Sequence, residues 1–256
     1  MKKLFGTDGI RGKANEYPMV PELALKLGKA IALHFANGGV PKVVIGKDTR
    51  LSGYMLETAL TSGLVSMGAE VFLVGPMPTP AIAKLTTSLN ADVGIVLSAS
   101  HNPAEDNGIK LFDSQGYKLS DDVEQEIETL VLSDEEITNG NNIGKAFRVD
   151  EAKGRYIEFA KSAVKNTNFK GLKIVLDCAN GAAYNVAPQI FSELGAEVIT
   201  LFDKPDGNNI NDNCGALFPE KMSEEVKKQN ADVGIALDGD ADRAIICNEK
   251  GEVVHG

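Results

Sequence analysis

An apolar run, Gly94-Ile95-Val96-Leu97, leads directly into the hydroxyl-rich turn Ser98-Ala99-Ser100-His101-Asn102-Pro103. Open α/β sheets bind ligands beyond the carboxyl ends of their strands, so this turn is where a nucleophile would be displayed. Ser100, with His101 beside it and Asn102-Pro103 setting a turn, is the candidate. The preceding stretch Ala91-Asp92-Val93-Gly94-Ile95-Val96-Leu97 recurs as Ala231-Asp232-Val233-Gly234-Ile235-Ala236-Leu237, and the second copy runs into Asp238-Gly239-Asp240-Ala241-Asp242-Arg243. Small residues between three carboxylates let a tight loop turn them toward one point. All-oxygen donors select a hard cation, and Mg²⁺ is the natural choice. The spacing is not that of an EF-hand, which needs Gly at the sixth position and Glu at the twelfth.

A serine and a metal loop on equivalent strand ends can meet across a cleft, where the ion would polarise a group carried on the serine oxygen. No Gly-x-Ser-x-Gly elbow is present, and His101 is too close to Ser100 in sequence to act as the base of a hydrolase triad. Phosphoryl transfer therefore fits better than acyl transfer. Basic residues lie in Gly-bracketed stretches read as turns: Arg11, Lys47 with Arg50, Lys110 after Asn107-Gly108, and Arg243 beside the aspartates. As a set they could bind phosphate, guanidinium forks matching phosphate oxygens. His34 and His255 read as structural or incidental, and no glycine belongs to a Rossmann or Walker signature.

The elements that must position these groups follow from periodicity. Apolar residues three and four apart predict a helix over 21–35, and Ser52 to Met67 reads as a crossover helix between the strand-like runs Lys42 to Gly46 and Val71 to Gly75. Strand, helix, strand at this spacing means a parallel sheet. Lys173-Ile174-Val175-Leu176-Asp177 answers the run from Lys42, and Gly195-Ala196-Glu197-Val198 answers Gly68-Ala69-Glu70-Val71, in the same order. One α/β unit is thus present twice. The polar stretch from Ser133 to Asn142 should end the first unit near it, and a helix from Asp150 to about Val164 should open the second. The fold class expected is α/β: two similar tandem α/β domains with mainly parallel mixed sheets, 1–148 and 149–256, each able to bury its own core.

Composition excludes other classes. With 256 residues, 43% apolar and 24% charged, the chain is neither disordered nor fibrous. A net charge of −10 argues against nucleic acid or an anionic membrane as partner, though it permits a local basic cluster. No targeting segment is visible and no apolar run reaches the ~18 residues of a membrane span, so a cytoplasmic location is expected. Three unpaired cysteines, Cys178, Cys214 and Cys247, read as packing residues in a reducing compartment.

Three separated motifs, Phe5-Gly6-Thr7-Asp8-Gly9-Ile10-Arg11-Gly12, the serine loop with Asn107-Gly108-Ile109-Lys110, and Asp238 to Arg243, together resemble the α-D-phosphohexomutases along the entire chain. The opening octapeptide and Ala241 look more like the glucosamine branch than the mannose or glucose branches. The resemblance implies that Ser100 is carried as phosphoserine and that Asp238, Asp240 and Asp242 hold Mg²⁺ together with it. Lys110, His101 and Arg11 would line the phosphoserine, and Arg243 would support the metal loop. The implied reaction interconverts glucosamine 6-phosphate and glucosamine 1-phosphate through a hexosamine 1,6-bisphosphate, feeding UDP-N-acetylglucosamine and cell-wall synthesis. The implied partner is a small phosphosugar, and a homodimer is compatible with it. Family members continue into a third and a fourth domain whose motifs do not occur here. Residues 1–256 therefore read as the first two domains, with little turnover expected. The alternatives are another sugar preference in the same family, a Mg²⁺-dependent phosphatase with an aspartyl nucleophile, and a non-catalytic metal or sugar-phosphate binding module.

Overall fold

The computed structural model describes residues 4–36, 39–138, 142–165 and 167–254. The first sheet is built from β1 (Ile10–Lys13), β2 (Lys42–Lys47), β3 (Glu70–Pro76), β4 (Val93–Leu97), β5 (Asp106–Asp113) and β6 (Lys145–Arg148), in the order β1-β5-β4-β2-β3-β6. Strands β4, β2, β3 and β6 are mutually parallel, while β5 runs antiparallel to both β4 and β1. The second sheet takes β7 (Lys173–Asp177), β8 (Glu197–Leu201), β9 (Val233–Leu237), β10 (Ala244–Cys247) and β11 (Val253–Val254) in the order β11-β10-β9-β7-β8. Here β9, β7 and β8 are parallel and the β10 edge is antiparallel. Both sheets are thus mixed, the first mainly parallel and the second with two parallel and two antiparallel pairings.

The helices are α1 (Pro21–Phe35), α2 (Ser52–Ser66), α3 (Thr79–Ser88), α4 (Asp121–Leu132), α5 (Ala152–Ser162), α6 (Ala187–Glu193) and α7 (Glu220–Gln229). Alternation along β2 sends Val43 and Ile45 to one face and Val44 to the other, all fully buried. On the first face they meet Leu27 and Ile31 of α1, Leu56, Leu60 and Leu64 of α2, and Ile127 of α4. Each such side chain contributes roughly 1.5–3 kcal/mol by leaving water. Helices α1 and α2 cross at Gly28 and Gly63, where a Cβ would strike the Leu60 and Leu25 carbonyls.

On the other face, Val44 and Val96 pack with Ala81, Ile82 and Leu85 of α3 in a cluster that also holds Ile157 of α5, Leu176 of β7 and Val186 and Ala187 from the start of α6. Each unit buries a core of its own, as expected, and this cluster adds a third that draws on both sheets. The outer face of the second sheet has its own core, with Val175 and Ala236 against Met222 and Val226 of α7. Strand β6 pairs with β3 after the breaker-rich stretch, so the first sheet extends to Arg148; positions 139–141 of that stretch lie outside the described residues, as does His255. His34, near the end of α1, faces Glu126 at 3.4 Å, away from the serine loop. The three cysteines are buried and free, and burial pushes the Cys178 and Cys214 thiols up, the latter to about 12, as expected of packing thiols.

Candidate active site at the junction of the two sheets

Strands β4 and β9 both point their carboxyl ends at one junction. Ser100 follows β4 with φ +53°, a left-handed conformation, and is only 2% exposed. Its Oγ donates to Asp238 Oδ2 at 2.7 Å and accepts from Arg243 Nη2 at 2.9 Å, so residues 138 and 143 positions away meet on one atom. His101 Nδ1 lies 3.5 Å from the same oxygen and also contacts Arg243. Close approach of the two loops requires Gly239: a Cβ there would come within 2.6 Å of the Ser100 carbonyl and 2.7 Å of the Asn211 amide nitrogen.

Carboxylate oxygens of Asp238, Asp240 and Asp242 all lie within 4.8 Å of one another. Asp240 Oδ2 accepts from Lys110 Nζ at 2.9 Å and from Thr79 Oγ1 at 2.7 Å, while its buried Oδ1 has no hydrogen-bond partner among the described residues. Lys110 also faces Asp8 at 3.2 Å and Asp242 at 3.5 Å, and Arg11 Nη2 pairs with Asp8 Oδ2 at 2.7 Å. Arg243 Nε reaches Asp238 at 3.3 Å, and its backbone N–H donates to Asp238 Oδ1 at 3.2 Å.

Burial and electrostatics set the charges. Burial disfavours the Lys110 ammonium, yet Asp240, with help from Asp8 and Asp242, holds its pKa above the usual lysine value. Burial likewise works against the Asp240 carboxylate, and Lys110 with Thr79 outweighs it, keeping Asp240 below the usual range. Burial and the neighbouring Asp240 charge raise Asp242. Burial, Arg243 and Arg11 lower the His101 pKa below the usual imidazole value.

The structure brings together Ser100, His101, Lys110, Arg243 and the three aspartates, with Arg11 joined through Asp8. Three of the basic residues are not in turns: Arg11 is on β1, paired with Gly108, Lys110 is on β5, paired with Val96, and Lys47 ends β2, paired with Leu97. The antiparallel β1–β5 pair carries Arg11 and Lys110, and it sets Lys110 against Asp240 and Asp242 and Arg11 against Asp8. Lys47 and Arg50 do not reach the site as phosphate ligands. The Lys47 ammonium is 4% exposed, paired with Glu57 and placed over the Tyr54 ring. Arg50 is fully buried, with its guanidinium bonded to Asp48 and to the carbonyls of Ser100, Asn102, Pro103 and Asp106.

Three participants are not singled out by the sequence. Thr79 opens α3 and bonds Asp240 through both its N–H (2.9 Å) and its hydroxyl. Asn211 donates from the second unit to the Ser100 and Asn102 carbonyls at 2.9 and 3.1 Å. Asp48 accepts from Ser98 Oγ at 2.6 Å. Asn211 sits in the run Asn208-Asn209-Ile210-Asn211-Asp212-Asn213, whose composition marks only a turn. Beside His101 a cleft of roughly 380 Å³ opens between the units, lined by Pro103, Ile210, Asn211, Leu217 and Phe218.

A serine and an acidic metal-type loop, presented by paired α/β repeats, define a phosphosugar-mutase architecture. The chain belongs to the phosphoglucomutase/phosphomannomutase family: the family's alpha/beta/alpha domain I matches residues 2–138 and its domain II residues 154–251. Curated proteins named phosphoglucosamine mutase from Citrifermentans bemidjiense and Myxococcus xanthus are 58% and 57% identical to it, over all of this chain and 58% and 57% of their own length. The chain thus spans a little over half of the relatives it matches. A crystal structure of a phosphoglucomutase/phosphomannomutase family protein from Burkholderia thailandensis superposes with a TM-score of 0.86 at 29% identity, covering 100% of this chain and 57% of that one. Aspergillus fumigatus N-acetylphosphoglucosamine mutase, in complex with GlcNAc-6P and magnesium, shares the fold at a TM-score of 0.53 and 16% identity, over 99% of this chain and 52% of its own. Among the described residues no helix is long and apolar enough to cross a membrane.

Proposed function

We propose that residues 1–148 and 149–256 are the phosphoserine domain and the metal domain of a phosphoglucosamine mutase, which interconverts glucosamine 6-phosphate and glucosamine 1-phosphate. The observation that carries this reading is the meeting at Ser100 Oγ of Asp238, 2.7 Å away, and Arg243, 2.9 Å away. The names of the curated relatives favour glucosamine over mannose or glucose.

The acidic loop fits Mg²⁺: its donors are all oxygens within 4.8 Å of one another, and one of them, Asp240 Oδ1, is buried without a partner among the described residues. Asp238, Asp240 and Asp242 would hold the ion with an oxygen carried on Ser100. When bound, it supplies charge neutralisation and polarisation of phosphoryl oxygens. The chain's own residues do the rest. Ser100 Oγ carries the phosphoryl group; its bond to phosphorus breaks as a sugar hydroxyl oxygen bonds phosphorus, the hydroxyl proton ends on Ser100 Oγ, and Arg243 donates to that oxygen. Lys110, held protonated by three carboxylates, contributes fixed positive charge and not a base. Positioning and preorganised charge dominate such transfers, so a buried, cross-linked site suits the reaction. A hexosamine 1,6-bisphosphate is the intermediate, and the product feeds UDP-N-acetylglucosamine synthesis.

The test is phosphopeptide mapping of the full-length protein before and after incubation with a hexose 1,6-bisphosphate and Mg²⁺. Phosphate on Ser100, with exchange lowered by about 10²-fold or more in Asp240→Ala, is the expected result. An unmodified Ser100 in both arms would overturn the reading.

A further inference from the structure

Among the described residues Arg50 is the largest fully buried polar side chain, at 0% exposure, and it lies directly beneath the serine loop. A guanidinium has five N–H donors. Here each has an acceptor: Nε donates to Asp48 Oδ2 at 2.8 Å, Nη1 to the Pro103 carbonyl and to that of Asp106 at 3.0 Å, and Nη2 to Ser100 at 3.0 Å and Asn102 at 2.9 Å. None is left for a phosphate oxygen. Four of the five acceptors are backbone carbonyls of a single loop, residues 100–106.

The same loop is fixed from its other side. The Ser100 N–H donates to Ser98 Oγ at 2.9 Å, and Ser98 Oγ in turn donates to Asp48 Oδ2, the oxygen that also takes Arg50 Nε. Asp48 Oδ1 accepts the Arg50 N–H at 2.9 Å, closing the circuit. Both backbone polar groups of Ser100 are therefore tied to one buried unit. Ser100 itself has φ +53°, and a non-glycine residue keeps such a conformation only where its surroundings over-determine it. Relaxing the turn to φ below zero would swing Oγ away from Asp238 and Arg243.

We infer that Asp48, Arg50 and Ser98 form a buried brace that holds Ser100 in its left-handed turn, which makes Arg50 a positioning residue for phosphoryl transfer and not a ligand of substrate. The inference rests on Ser100 being the phosphoryl carrier. Lysine cannot replace the brace, because an ammonium is a point donor with three hydrogens and cannot span four carbonyls and a carboxylate.

The experiment compares full-length wild type with Arg50→Lys and Ser98→Ala, by single-turnover phosphorylation of Ser100 from a hexose 1,6-bisphosphate with Mg²⁺ and by amide hydrogen exchange of the 98–106 segment. Arg50→Lys should lower the saturating rate by roughly 10- to 100-fold, the scale expected when a reacting group is misplaced by about 1 Å. The half-saturating bisphosphate concentration should move by less than about 3-fold, since no substrate contact is lost. Ser98→Ala should act in the same direction with a smaller effect. Exchange in 98–106 should quicken in both variants while β2 and α2 stay protected. A raised half-saturation with an unchanged saturating rate would make Arg50 a phosphate ligand and overturn the inference. So would wild-type exchange in a folded Arg50→Lys protein. If Arg50→Lys does not fold, Ser98→Ala carries the same comparison. If wild-type Ser100 takes up no phosphate, the mutase reading fails, and the exchange measurement alone decides whether the brace exists.

Discussion

Strands β4 and β9 occupy matching places in their sheets, each parallel to one neighbour (β2 or β7) and antiparallel to the other (β5 or β10). Each begins the same way: Asn90 and Asn230 are left-handed at φ +49° and +50°, and Asp92 and Asp232 accept the N–H of Lys42 and Lys173 at 2.8 and 2.7 Å. Their exits differ. β4 runs into a buried hydroxyl turn and β9 into three carboxylates. The scaffold is therefore indifferent to what it displays, and the division of labour lies in a few residues after each strand. It also explains why the two units share a core cluster: a nucleophile on one sheet and its electrostatic partner on the other must be held to within fractions of an ångström.

The central strands extend the comparison. Asp48 after β2 and Asp177 at the end of β7 are both fully buried, and each accepts the N–H two residues on. Asp48 has the Arg50 guanidinium against it. Asp177 has two backbone donors, Ala179 and Gly215, and burial raises it to about 6. The first carboxylate braces a loop through a cation and the second organises backbone, and burial raises both above the usual carboxylate range.

The largest effect should come from Ser100→Ala, which removes the carrier atom: labelling from bisphosphate should fall below detection while the melting temperature stays near wild type. Retained labelling would break the division of labour and favour an aspartyl nucleophile. Asp240→Ala should lower labelling by about 10²-fold or more, the scale of losing one preorganised charged group. Removing Mg²⁺ with a chelator should have a comparable effect on wild type and none further on this variant, and the two losses are read in one phosphorylation assay.

Asp177 sharpens the comparison through pH. Its folded pKa lies above the unfolded value of 3.8, so between about 4 and 6 the folded state binds more protons, and stability falls as pH rises through that window. The stability difference between wild type and Asp177→Asn should change by something on the order of 3 kcal/mol across it. Denaturant melts at pH 4 and pH 7 measure this, and a pH-independent difference would refute the raised pKa. The smallest effects belong to the matched aspartates at the strand starts. Asp92→Ala and Asp232→Ala should each cost about 0.5–1.5 kcal/mol, Asp92 more because its bond is less exposed. Unequal costs in the reverse order, read from the same denaturant melts, would show that the two strand starts are not equivalent.

Much of this is legible in the chain itself. Helix α1 runs over 21–35 as periodicity predicts, β2, β3, β7 and β9 fall on the apolar runs, and Ser100 and the aspartates converge as the repeat implies. Arg50 is misread from sequence because a basic residue in a polar turn is ordinarily solvated, and only the packing of residues 100–106 over it buries it. Lys110 and Arg11 pass for turn residues because glycine lies close to each, Gly108 within β5 and Gly12 within the four-residue β1, and glycine in a sequence reads as a break. Thr79 and Asn211 give no signal at all, since a helix-starting threonine and one asparagine among several are common.

The sequence by itself determined which segments become strands and helices, that one unit occurs twice, and which side chains stand at the strand ends, because periodicity and turn chemistry act between near neighbours. Only the tertiary structure decided which charges meet and which are buried. Bonds such as Lys110 to Asp240 and Arg243 to Ser100 join residues 130 and 143 positions apart, so they depend on strand order, register and the angle between two sheets, which no local pattern encodes.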